Sequence, residues 1–320
     1  MKQIVVLGGG FAGLTAAVGA ARKLAELKID KSDIAVTIVN RDPWHAIRVR
    51  NYETDLSGVR VPLADVLGPI GVALVIGDVI GIDRDRREVA VAGREPLPYD
   101  RLVFALGSEL VRPPIPGLAK HGFDIDTYDA AARLSAHLAA LPACAPSPGR
   151  FTALVVGGGL TGVEMATELT TRLREIALDA PARVILADRA PRIGSNMGDE
   201  ACAVIDDALA ALGVESRPGI AIKSVSPHGA TLSSGEEIAA DTVIWCAGMR
   251  AHPLAAALPG EHDRFGRVAV DRFLRVEAAP DIFAAGDTAA ALVDGEHYSV
   301  MSCQHARPMG RIAGHNVVCD

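Results

Sequence analysis

The strand–turn–helix segment at residues 4–17 constrains the fold more than any other part of the chain. Four apolar residues that begin at Ile4 predict a short buried strand. Gly8, Gly10 and Gly13 then give the spacing G-x-G-x-x-G before a run with helical character. In such a turn the first glycine allows the sharp bend, the second lets the backbone approach a pyrophosphate, and the third lets the helix pack on the strand. Because the helix N-terminus adds free N–H groups and partial positive charge, the segment predicts a dinucleotide site.

The same pattern occurs a second time, at Gly157, Gly159 and Gly162. Each copy is followed by a second predicted strand, at residues 35–39 in the first copy and 182–187 in the second. Two units with matching order arise by chance far less easily than one glycine motif. Two dinucleotide sites in one chain imply two cofactors that exchange electrons.

The end of the second strand matters because the residue there binds the adenosine ribose in dinucleotide folds. Asp188 holds this position in the second copy, and its carboxylate predicts NADH rather than NADPH because it repels a 2′-phosphate. Arg189 and Arg192 offer partners to such a phosphate and keep NADPH open as the alternative. In the first copy Asn40 stands at the strand end, with Asp42 two residues later. Asn40 is the favoured ribose ligand, since an amide can still bond a hydroxyl.

Composition excludes several other classes of protein. A length of 320 residues suggests two domains, and 49% hydrophobic residues exclude disorder. The net charge of −7 argues against nucleic acid as a partner. The five cysteines are scattered without a C-x-x-C pair, which favours reduced thiols in a cytoplasmic protein and no metal site. We also expect no signal peptide, because the first strand starts near residue 3, and no membrane span, because no apolar run approaches about 20 residues.

The order of elements predicts an α/β protein in which one domain is inserted into the other. The first domain is expected at residues 1–113 and 254–320, and the inserted domain at 114–253. Short strands with polar turns predict a small β-meander in each domain, at residues 73–106 and 221–238. A proline-stiffened stretch at residues 112–117 is predicted to be the first hinge between the domains.

Two further stretches each have two interpretations. Residues 44–50 are basic and include His45, so they either lie near a pyrophosphate or form a solvated loop with a satisfied histidine. Residues 279–284 predict a strand that leads into Gly286 and Asp287 before a final helix. Asp287 either belongs to the site that this strand closes or only caps a helix.

The motifs together resemble the FAD-dependent pyridine nucleotide-disulfide oxidoreductases over nearly the whole chain. The resemblance rests on both glycine motifs, on the strand ends at residues 105–107 and 246–248, and on Phe-Ala-Ala-Gly-Asp at 283–287. Within that group the chain is most similar to the type II NADH dehydrogenases, the NADH:quinone oxidoreductases. It shares Gly-Gly-Gly-Phe-Ala-Gly-Leu at 8–14, Thr-Gly-Val-Glu at 161–164 and Gln-His-Ala at 304–306.

This resemblance implies two Rossmann-like domains, an FAD domain with an inserted NAD(P)H domain. It also implies cofactor contacts for a set of residues in both copies. These are Gly8, Gly10, Phe11, Ala12, Gly13, Asn40, Arg41, Ala105, Gly107, Gly286, Asp287, Gln304, His305, Ala306, Gly157, Gly159, Leu160, Thr161, Gly162, Asp188 and Gly248. By analogy Asn40 and Arg41 lie by the FAD adenosine, and Asp287 lies by its ribityl chain. Glu164 is the implied catalytic residue, near the place where nicotinamide and flavin meet.

The implied function is an oxidoreductase that passes hydride from NADH to FAD and then two electrons to a quinone-type acceptor. The alternatives are an NADH-dependent reductase of a small iron–sulfur protein and a flavin-bound NADH sensor. The scattered cysteines argue against the disulfide-reductase branch, which needs a redox pair beside the flavin.

The chain departs from the family pattern at three places. Asn40 replaces the usual acid, and Pro308 and Met309 stand where glutamine is common, which weakens the quinone assignment. The sequence ends at Asp320, whereas such relatives continue into a region that aids dimerisation and membrane binding. Either the sequence is a shortened form of such a protein or the protein is a soluble relative, and both stay open. We expect a cytoplasmic protein, and leave open a homodimer and, through a region beyond Asp320, a peripheral contact with the inner face of the membrane.

Overall fold

A computed structural model describes residues 1–320 and groups them into two compact units. Unit 1 consists of Met1–Ile47, Arg60–Glu109 and Met249–Asp320, and unit 2 of Arg48–Val59 and Leu110–Gly248. Each unit contains a parallel sheet and helices, which confirms the predicted α/β class with two Rossmann-like parts. The domain boundaries predicted at residues 113 and 253 lie a few residues from the boundaries of these units, and they assign residues 48–59 to the first domain rather than to unit 2. The division into domains stays a prediction.

The sheet of unit 1 has six strands with the opening strand, Lys2–Leu7, near its middle. Its strands, in spatial order, are Arg275–Val276, Ala279–Ala284, Arg101–Phe104, Lys2–Leu7, Ile34–Asn40 and Ala73–Ile76. The opening strand pairs in parallel with a neighbour on each side, and its last four residues are buried. The order of connections therefore reverses at this strand, and ligands of such sheets bind at the carboxyl end of the reversal point.

The remaining elements of unit 1 surround this sheet. Its helices are Phe11–Glu26, Leu63–Leu67 and Cys303–Cys319, with 3-10 turns at Pro253–Ala257 and Gly286–Thr288. The meander predicted at residues 73–106 is shorter than expected, a three-stranded antiparallel sheet of Val79–Asp83, Glu88–Val91 and Leu97–Pro98, because Ala73–Ile76 and Arg101–Phe104 belong to the large sheet. Shorter strands are Trp44–Ala46, Arg60–Pro62, Ser108–Leu110, Met249–Ala251, Val268–Ala269 and Ala289–Ala290.

Unit 2 repeats the plan with a smaller parallel sheet. Its order is Glu215–Arg217, Arg183–Ala187, Thr152–Val156 and Thr242–Trp245, so the strand before the second glycine motif again has a neighbour on each side. The helices are Leu118–His121, Tyr128–Ala140, Leu160–Ala177 and Asp199–Leu212, with 3-10 turns at Arg48–Arg50 and Leu141–Ala143. The meander is Ile222–Ser226, Gly229–Leu232 and Glu237–Ala239. No helix of the protein combines the length and apolar character that crossing a bilayer requires.

The end of the stretch at residues 112–117, which is predicted to be a hinge, packs against a strand of unit 2. The Val225 N–H donates to the Pro116 carbonyl at 2.9 Å, and a Cβ on Gly117 would overlap the Val225 carbonyl oxygen. Gly117 also has a φ of +80°, which favours glycine. The grouping into units changes at Glu109–Leu110, just before this stretch, and the hinge stays a prediction.

The first and last helices of unit 1 pack backbone against backbone. Gly310 and Gly314 of the last helix face the first helix, where a Cβ on Gly310 would overlap the Ala12 carbonyl oxygen and one on Gly314 would overlap that of Ala16. Ala12 and Ala16 are themselves buried. This contact fastens the end of the chain to the helix that follows the first glycine turn.

The closeness of the two helices predicts the effect of adding one methyl group. Alanine normally stabilises a helix interior by about 1 kcal/mol relative to glycine. Gly314→Ala should instead lower the free energy of unfolding by about 1–3 kcal/mol, because the new Cβ overpacks the contact. Urea unfolding followed by circular dichroism measures this, with the exposed neighbour substitution His315→Ala as control. A more stable Gly314→Ala protein would show that the helices do not approach this closely.

Candidate functional site

The glycines of the first turn fall into two kinds. Gly8 has a φ of +99°, and a Cβ there would lie 2.5 Å from the Ala105 carbonyl oxygen. A Cβ on Gly13 would overlap the Gly8 carbonyl oxygen. Gly10 differs, because a Cβ there has no protein atom within 4 Å and its φ of −72° suits any residue. The fold itself explains the first and third glycines, whereas neither a protein contact nor the backbone angle accounts for the second.

The second turn shows the same division. Gly157 has a φ of +123°, and its Cβ would lie 2.8 Å from the Ala247 nitrogen. A Cβ on Gly162 would overlap the Gly157 carbonyl oxygen, whereas one on Gly159 has no protein atom within 4 Å. Gly159, Leu160 and Thr161 are all exposed. Both turns therefore leave open space at the position where a pyrophosphate approaches the backbone.

The helices that leave these turns have neither of the two features, a side-chain cap or an acid in the first turn, of which each other long helix has at least one. Among the five helices of thirteen residues or more, only Phe11–Glu26 and Leu160–Ala177 have neither a side-chain cap nor an acid in the first turn. Thr127 and Ser302 cap two of the others, and Asp199 lies in the first turn of the third. The free N–H groups and partial positive charge at the two glycine turns are left for a bound anion.

The residues at the two second-strand ends hold the glycine turns in the same way. The Gly9 N–H donates to Asn40 Oδ1 at 2.8 Å, and the Gly158 N–H donates to the Asp188 carboxylate. The other Asp188 oxygen accepts the Ala190 N–H at 2.6 Å. Both residues thus stand where the sequence places the ribose ligand, and both also fix the turn.

The contacts of Asn40 explain why an amide replaces the usual acid. Its Nδ2 donates to the carbonyl oxygens of Asp42 at 2.8 Å and Trp44 at 3.2 Å. A carboxylate has no hydrogen to donate, so an acid here would face two carbonyl oxygens and the Asp42 side chain, which lies 3.3 Å from Nδ2. Asp42, the alternative ribose ligand, accepts the Trp44 N–H at 2.9 Å and belongs to the loop.

The surroundings of His45 test the two interpretations of the basic stretch at residues 44–50. It is 9% exposed, and its Nδ1 lies 2.8 Å from the Gly9 carbonyl oxygen. Its ring also meets Phe11 edge to face at a centroid distance of 5.2 Å. The histidine is satisfied, as one alternative expected, but it is buried against the first glycine turn rather than solvated.

Asp287 does not cap a helix. It lies inside the short turn Gly286–Thr288, and its Oδ2 accepts the Ser108 hydroxyl at 2.6 Å. Gly286 has a φ of +77°, and a Cβ there would lie 2.7 Å from Ala12 Cβ and 3.5 Å from Ala306 Cβ. The strand end, the first helix and the last helix therefore meet here, close to the first glycine turn.

The last helix begins as the sequence predicts. Ser302 Oγ accepts the His305 N–H at 3.3 Å and lies 2.9 Å from His305 Nδ1. Gln304 is exposed, and Ala306 is buried beside Gly286. The cap fixes the His305 side chain at the start of this helix.

The other predicted cofactor residues lie at the ends of strands. Ala105 touches the first glycine turn, and Gly107 has a φ of +74° with no protein atom near its Cβ position. Gly248, in unit 2, has a φ of +84°, and a Cβ there would lie 3.3 Å from Val111 Cβ. Arg41 is exposed after the second strand.

His252 is a neighbour of this region that the sequence analysis missed. Its N–H donates to the Gly107 carbonyl at 2.9 Å, and its Nε2 lies 3.7 Å from Glu109. Burial lowers the pKa of His252 below its ordinary value, and the charge of Arg41 lowers it further, against the opposing effect of Glu109. No periodicity or motif marks an isolated histidine of this kind.

Glu164 lies on a helix face that residues 48–59 partly cover. Burial raises the pKa of its carboxyl group. One turn later, Glu168 accepts the Thr54 hydroxyl at 2.8 Å and the Thr54 N–H at 3.2 Å. Burial and then the charge of Glu164 raise the pKa of Tyr52. Tyr52 and Thr54 lie outside both glycine motifs, so no sequence pattern marks them.

The cysteines do not form a redox pair. All five are free, and burial raises the pKa of the Cys246 thiol well above its ordinary value. A thiol held in its protonated form is a poor nucleophile.

Two comparisons with known proteins bear on this arrangement. Over residues 2–310 the chain matches the family described as pyridine nucleotide-disulphide oxidoreductase. It is 53% identical over 323 residues to an NADH dehydrogenase-like protein of Mycobacterium tuberculosis, which covers 100% of this chain and 81% of that protein. The chain belongs to the pyridine nucleotide-disulphide oxidoreductase family. The family match confirms the resemblance and, with it, the expected cofactors FAD and NADH.

More distant relatives differ in the acceptor that their names give. A type II NADH:quinone oxidoreductase of Staphylococcus haemolyticus is 29% identical over 313 residues, which cover 92% of this chain and 76% of that protein. The crystal structure of a ferredoxin reductase from Rhodopseudomonas palustris matches with a TM-score of 0.81 and 20% identity, covering 100% of this chain and 77% of that one. The second likeness shows the fold alone.

Gly10 and Gly159, the two glycines with open space at the Cβ position, are each expected to be needed for the binding of a different cofactor. Gly10→Val should abolish most FAD binding and leave the protein colourless, while the apoprotein keeps its melting temperature, because the new side chain meets no protein atom near its Cβ. Gly159→Val should stay yellow and lose nucleotide binding. Flavin absorbance and calorimetric titration with NAD⁺ measure the two losses. A yellow Gly10→Val protein or one that unfolds would contradict the division of roles.

The buried carboxyl of Glu164 predicts a pH-dependent gain in stability on neutralisation. Because its folded-state pKa is raised, the ionised form costs stability above that pKa, and the cost disappears where the group is protonated in both states. Glu164→Gln should therefore raise the melting temperature more at about pH 8 than at about pH 4. The charge of Tyr52 is coupled to those of Glu164, Glu53 and Glu168, and Arg172 interacts with Glu168. These neighbours are unchanged in the wild type and in Glu164→Gln.

Glu168→Gln is the matched control on the same helix face. That carboxylate accepts two hydrogen bonds from Thr54, so its neutralisation should lower stability at about pH 8 rather than raise it. Equal effects of the two substitutions would show that Glu164 is not the desolvated group.

Proposed function

We propose that the protein is an FAD-dependent NADH dehydrogenase that delivers two electrons to a quinone-type acceptor. The observation that carries this proposal is the pair of open glycines, Gly10 and Gly159, each at an uncapped helix N-terminus. Two pyrophosphate cradles in one chain suit one flavin and one nicotinamide dinucleotide. The identity of 53% with an NADH dehydrogenase-like protein supports NADH as the donor.

In this proposal unit 1 holds FAD through the contacts already described. The first glycine turn faces the pyrophosphate, with Asn40 Oδ1 free to accept one ribose hydroxyl beside its bond to Gly9. Asp287, which Ser108 holds in place, accepts hydroxyls of the ribityl chain. The helix that begins after Ser302 directs backbone N–H groups toward the ring, and Gln304 and His305 lie at that end.

Unit 2 holds NADH, with its phosphates at Gly157–Gly162 and its adenosine ribose at Asp188. When bound, the flavin supplies the two-electron chemistry, and the protein supplies position and electrostatics. Glu164 is the proposed catalytic residue, because burial raises the pKa of its carboxyl group and so favours its proton-holding form. We expect Glu164→Gln to slow turnover by more than about tenfold while FAD stays bound.

An apolar cavity in unit 1 supports an apolar ring as the acceptor. It has a volume of about 250 Å³ and its lining includes Leu292, His305, Pro308, Met309 and Ile312. Leu292 is 53% exposed, so the cavity is open at its rim. Proline and methionine stand here in place of the glutamine expected from the family, which makes the lining more apolar.

A second candidate function has one specific observation in its favour. Arg307, Arg311 and His315 are exposed at one-turn spacing on the last helix. Arg311 and His315 also line a surface cleft of about 380 Å³ together with Arg22 and Lys23. This basic stripe suits an acidic protein surface, such as that of a small iron–sulfur protein, although the chain as a whole carries a net charge of −7.

We further propose a cytoplasmic location, because all five cysteines are free and thiols persist in reducing compartments. A homodimer and a contact with the inner face of the membrane stay predictions.

Measuring turnover with several electron acceptors distinguishes the two candidate functions, if one variant alters the apolar cavity and another alters the basic stripe. Leu292→Asp should raise KM for menadione by about tenfold, since a carboxylate at the cavity rim opposes an apolar ring, and should leave NADH-dependent ferricyanide reduction unchanged. Arg311→Glu should have no effect on the quinone. Steady-state kinetics with NADH and each acceptor measure both.

Three results would change the assignment. Loss of ferredoxin reduction in Arg311→Glu, with quinone a poor substrate, would favour the iron–sulfur reductase. Slow turnover with every acceptor would favour an NADH sensor. An unchanged KM for menadione in Leu292→Asp would remove the cavity as the acceptor site.

A further inference from the structure

His252 lies against a stretch of unit 1 that lines the proposed FAD site. Its backbone N–H donates to the Gly107 carbonyl at 2.9 Å. Gly107 has open space at its Cβ position, and Ala105, two residues earlier, approaches the first glycine turn. Ser108, the next residue along, donates to Asp287 at 2.6 Å. The backbone of His252 is therefore bonded to the wall of this site.

The imidazole of His252 has one nitrogen that is bonded and one that is free. Nδ1 accepts the Leu254 N–H at 3.3 Å, so in the neutral ring the hydrogen is on Nε2. Nε2 lies 3.7 Å from Glu109, which is beyond hydrogen-bond distance. The ring therefore carries an N–H group that has no hydrogen-bond partner within the protein.

The surroundings of this ring favour its neutral form. Burial lowers the pKa of His252 below its ordinary value, and the charge of Arg41 lowers it further, against the opposing effect of Glu109. Protonation would also place a hydrogen on Nδ1, which faces the Leu254 N–H. His252 is thus a neutral donor at about pH 7. Its side chain is only 16% exposed, and a largely buried N–H without an acceptor costs stability.

We propose that His252 binds FAD, with its Nε2–H donating to an oxygen of the adenosine monophosphate half of the cofactor. This inference rests on the proposed function, in which unit 1 holds FAD at the first glycine turn. Two observations favour that half. The His252 backbone is bonded to Gly107, and the charge that reaches the ring is that of Arg41, which the family analogy places by the adenosine. The segment Met249–Asp320 then supplies a cofactor ligand near its start.

A second role of His252 must be separated from ligand binding, because Nδ1 caps the 3-10 turn Pro253–Ala257. His252→Ser keeps a side-chain acceptor for the Leu254 N–H and removes the free N–H. His252→Gln does the reverse, since its amide N–H replaces that of Nε2 while the cap is lost. The two variants therefore test the two nitrogens one at a time.

The test is calorimetric titration of the flavin-free full chain with FAD and with FMN, which measures affinity without turnover. His252→Ser should bind FAD about tenfold more weakly than the wild type, because one hydrogen bond to the cofactor is lost. Its affinity for FMN, which lacks the adenosine monophosphate half, should not change. His252→Gln should bind FAD within about threefold of the wild type and should melt at a lower temperature.

His262→Ser is the matched control from the same part of the chain. That histidine is exposed, and its Nε2 already lies 2.9 Å from the Ala255 carbonyl oxygen. Its substitution should leave the affinity for FAD unchanged.

The inference is wrong if His252→Ser binds FAD as tightly as the wild type, or if it loses affinity for FMN to the same extent. A loss of FAD in His252→Gln but not in His252→Ser would assign the histidine to the cap alone. Should His252→Ser fail to fold, His252→Asn keeps the cap with a shorter side chain and should show the same loss. If the wild type binds no FAD, the proposed function fails as well. Normal FAD binding by the wild type and by every variant defeats this inference only.

Discussion

One hydrogen bond recurs in both units, and the candidate sites depend on it. The N–H of the middle glycine, Gly9 or Gly158, donates to the side chain at the end of the second strand. This bond ties the glycine turn to the neighbouring strand, so that the turn stays open at Gly10 and Gly159. Without it, the backbone N–H groups of the turn would have no fixed direction toward a phosphate.

Close backbone packing supplies the second constraint on unit 1. The last helix reaches the first glycine helix through Gly310 and Gly314, and Gly286 fits between Ala12 and Ala306. These contacts join residues from opposite ends of the chain beside one turn. The segment that returns after residue 249 therefore completes the site that the opening strand begins.

Patterns within a short stretch of sequence were enough to predict those parts of the candidate site that are built from residues adjacent in the chain. The strand, the glycine turn and the helix follow one another in sequence, and Ser302 caps the helix that follows it. Residues 48–59 could not be assigned in this way, because long-range contacts place them in unit 2. Arg48 pairs with Asp126, and Thr54 bonds Glu168, at sequence separations of 78 and 114 residues.

The packing of the proline-rich stretch at residues 112–117 could not be predicted for a related reason. Proline stiffens a segment, but it does not say what the segment packs against. The bond from the Val225 N–H to the Pro116 carbonyl fixes the segment within unit 2. His252 was missed because only tertiary contacts with Gly107 and Glu109 bring it beside predicted cofactor residues.

The different strand-end residues follow from the loop that comes next. After Asn40 the chain presents the carbonyl oxygens of Asp42 and Trp44, which need a donor that only an amide supplies. After Asp188 it presents the Ala190 N–H, which needs an acceptor. Asn40 also keeps the loop in place whose His45 meets the Gly9 carbonyl. Asn40 thus replaces the family's acid because the backbone carbonyls of the following loop need a hydrogen-bond donor. The replacement gives no reason to expect a different cofactor in unit 1.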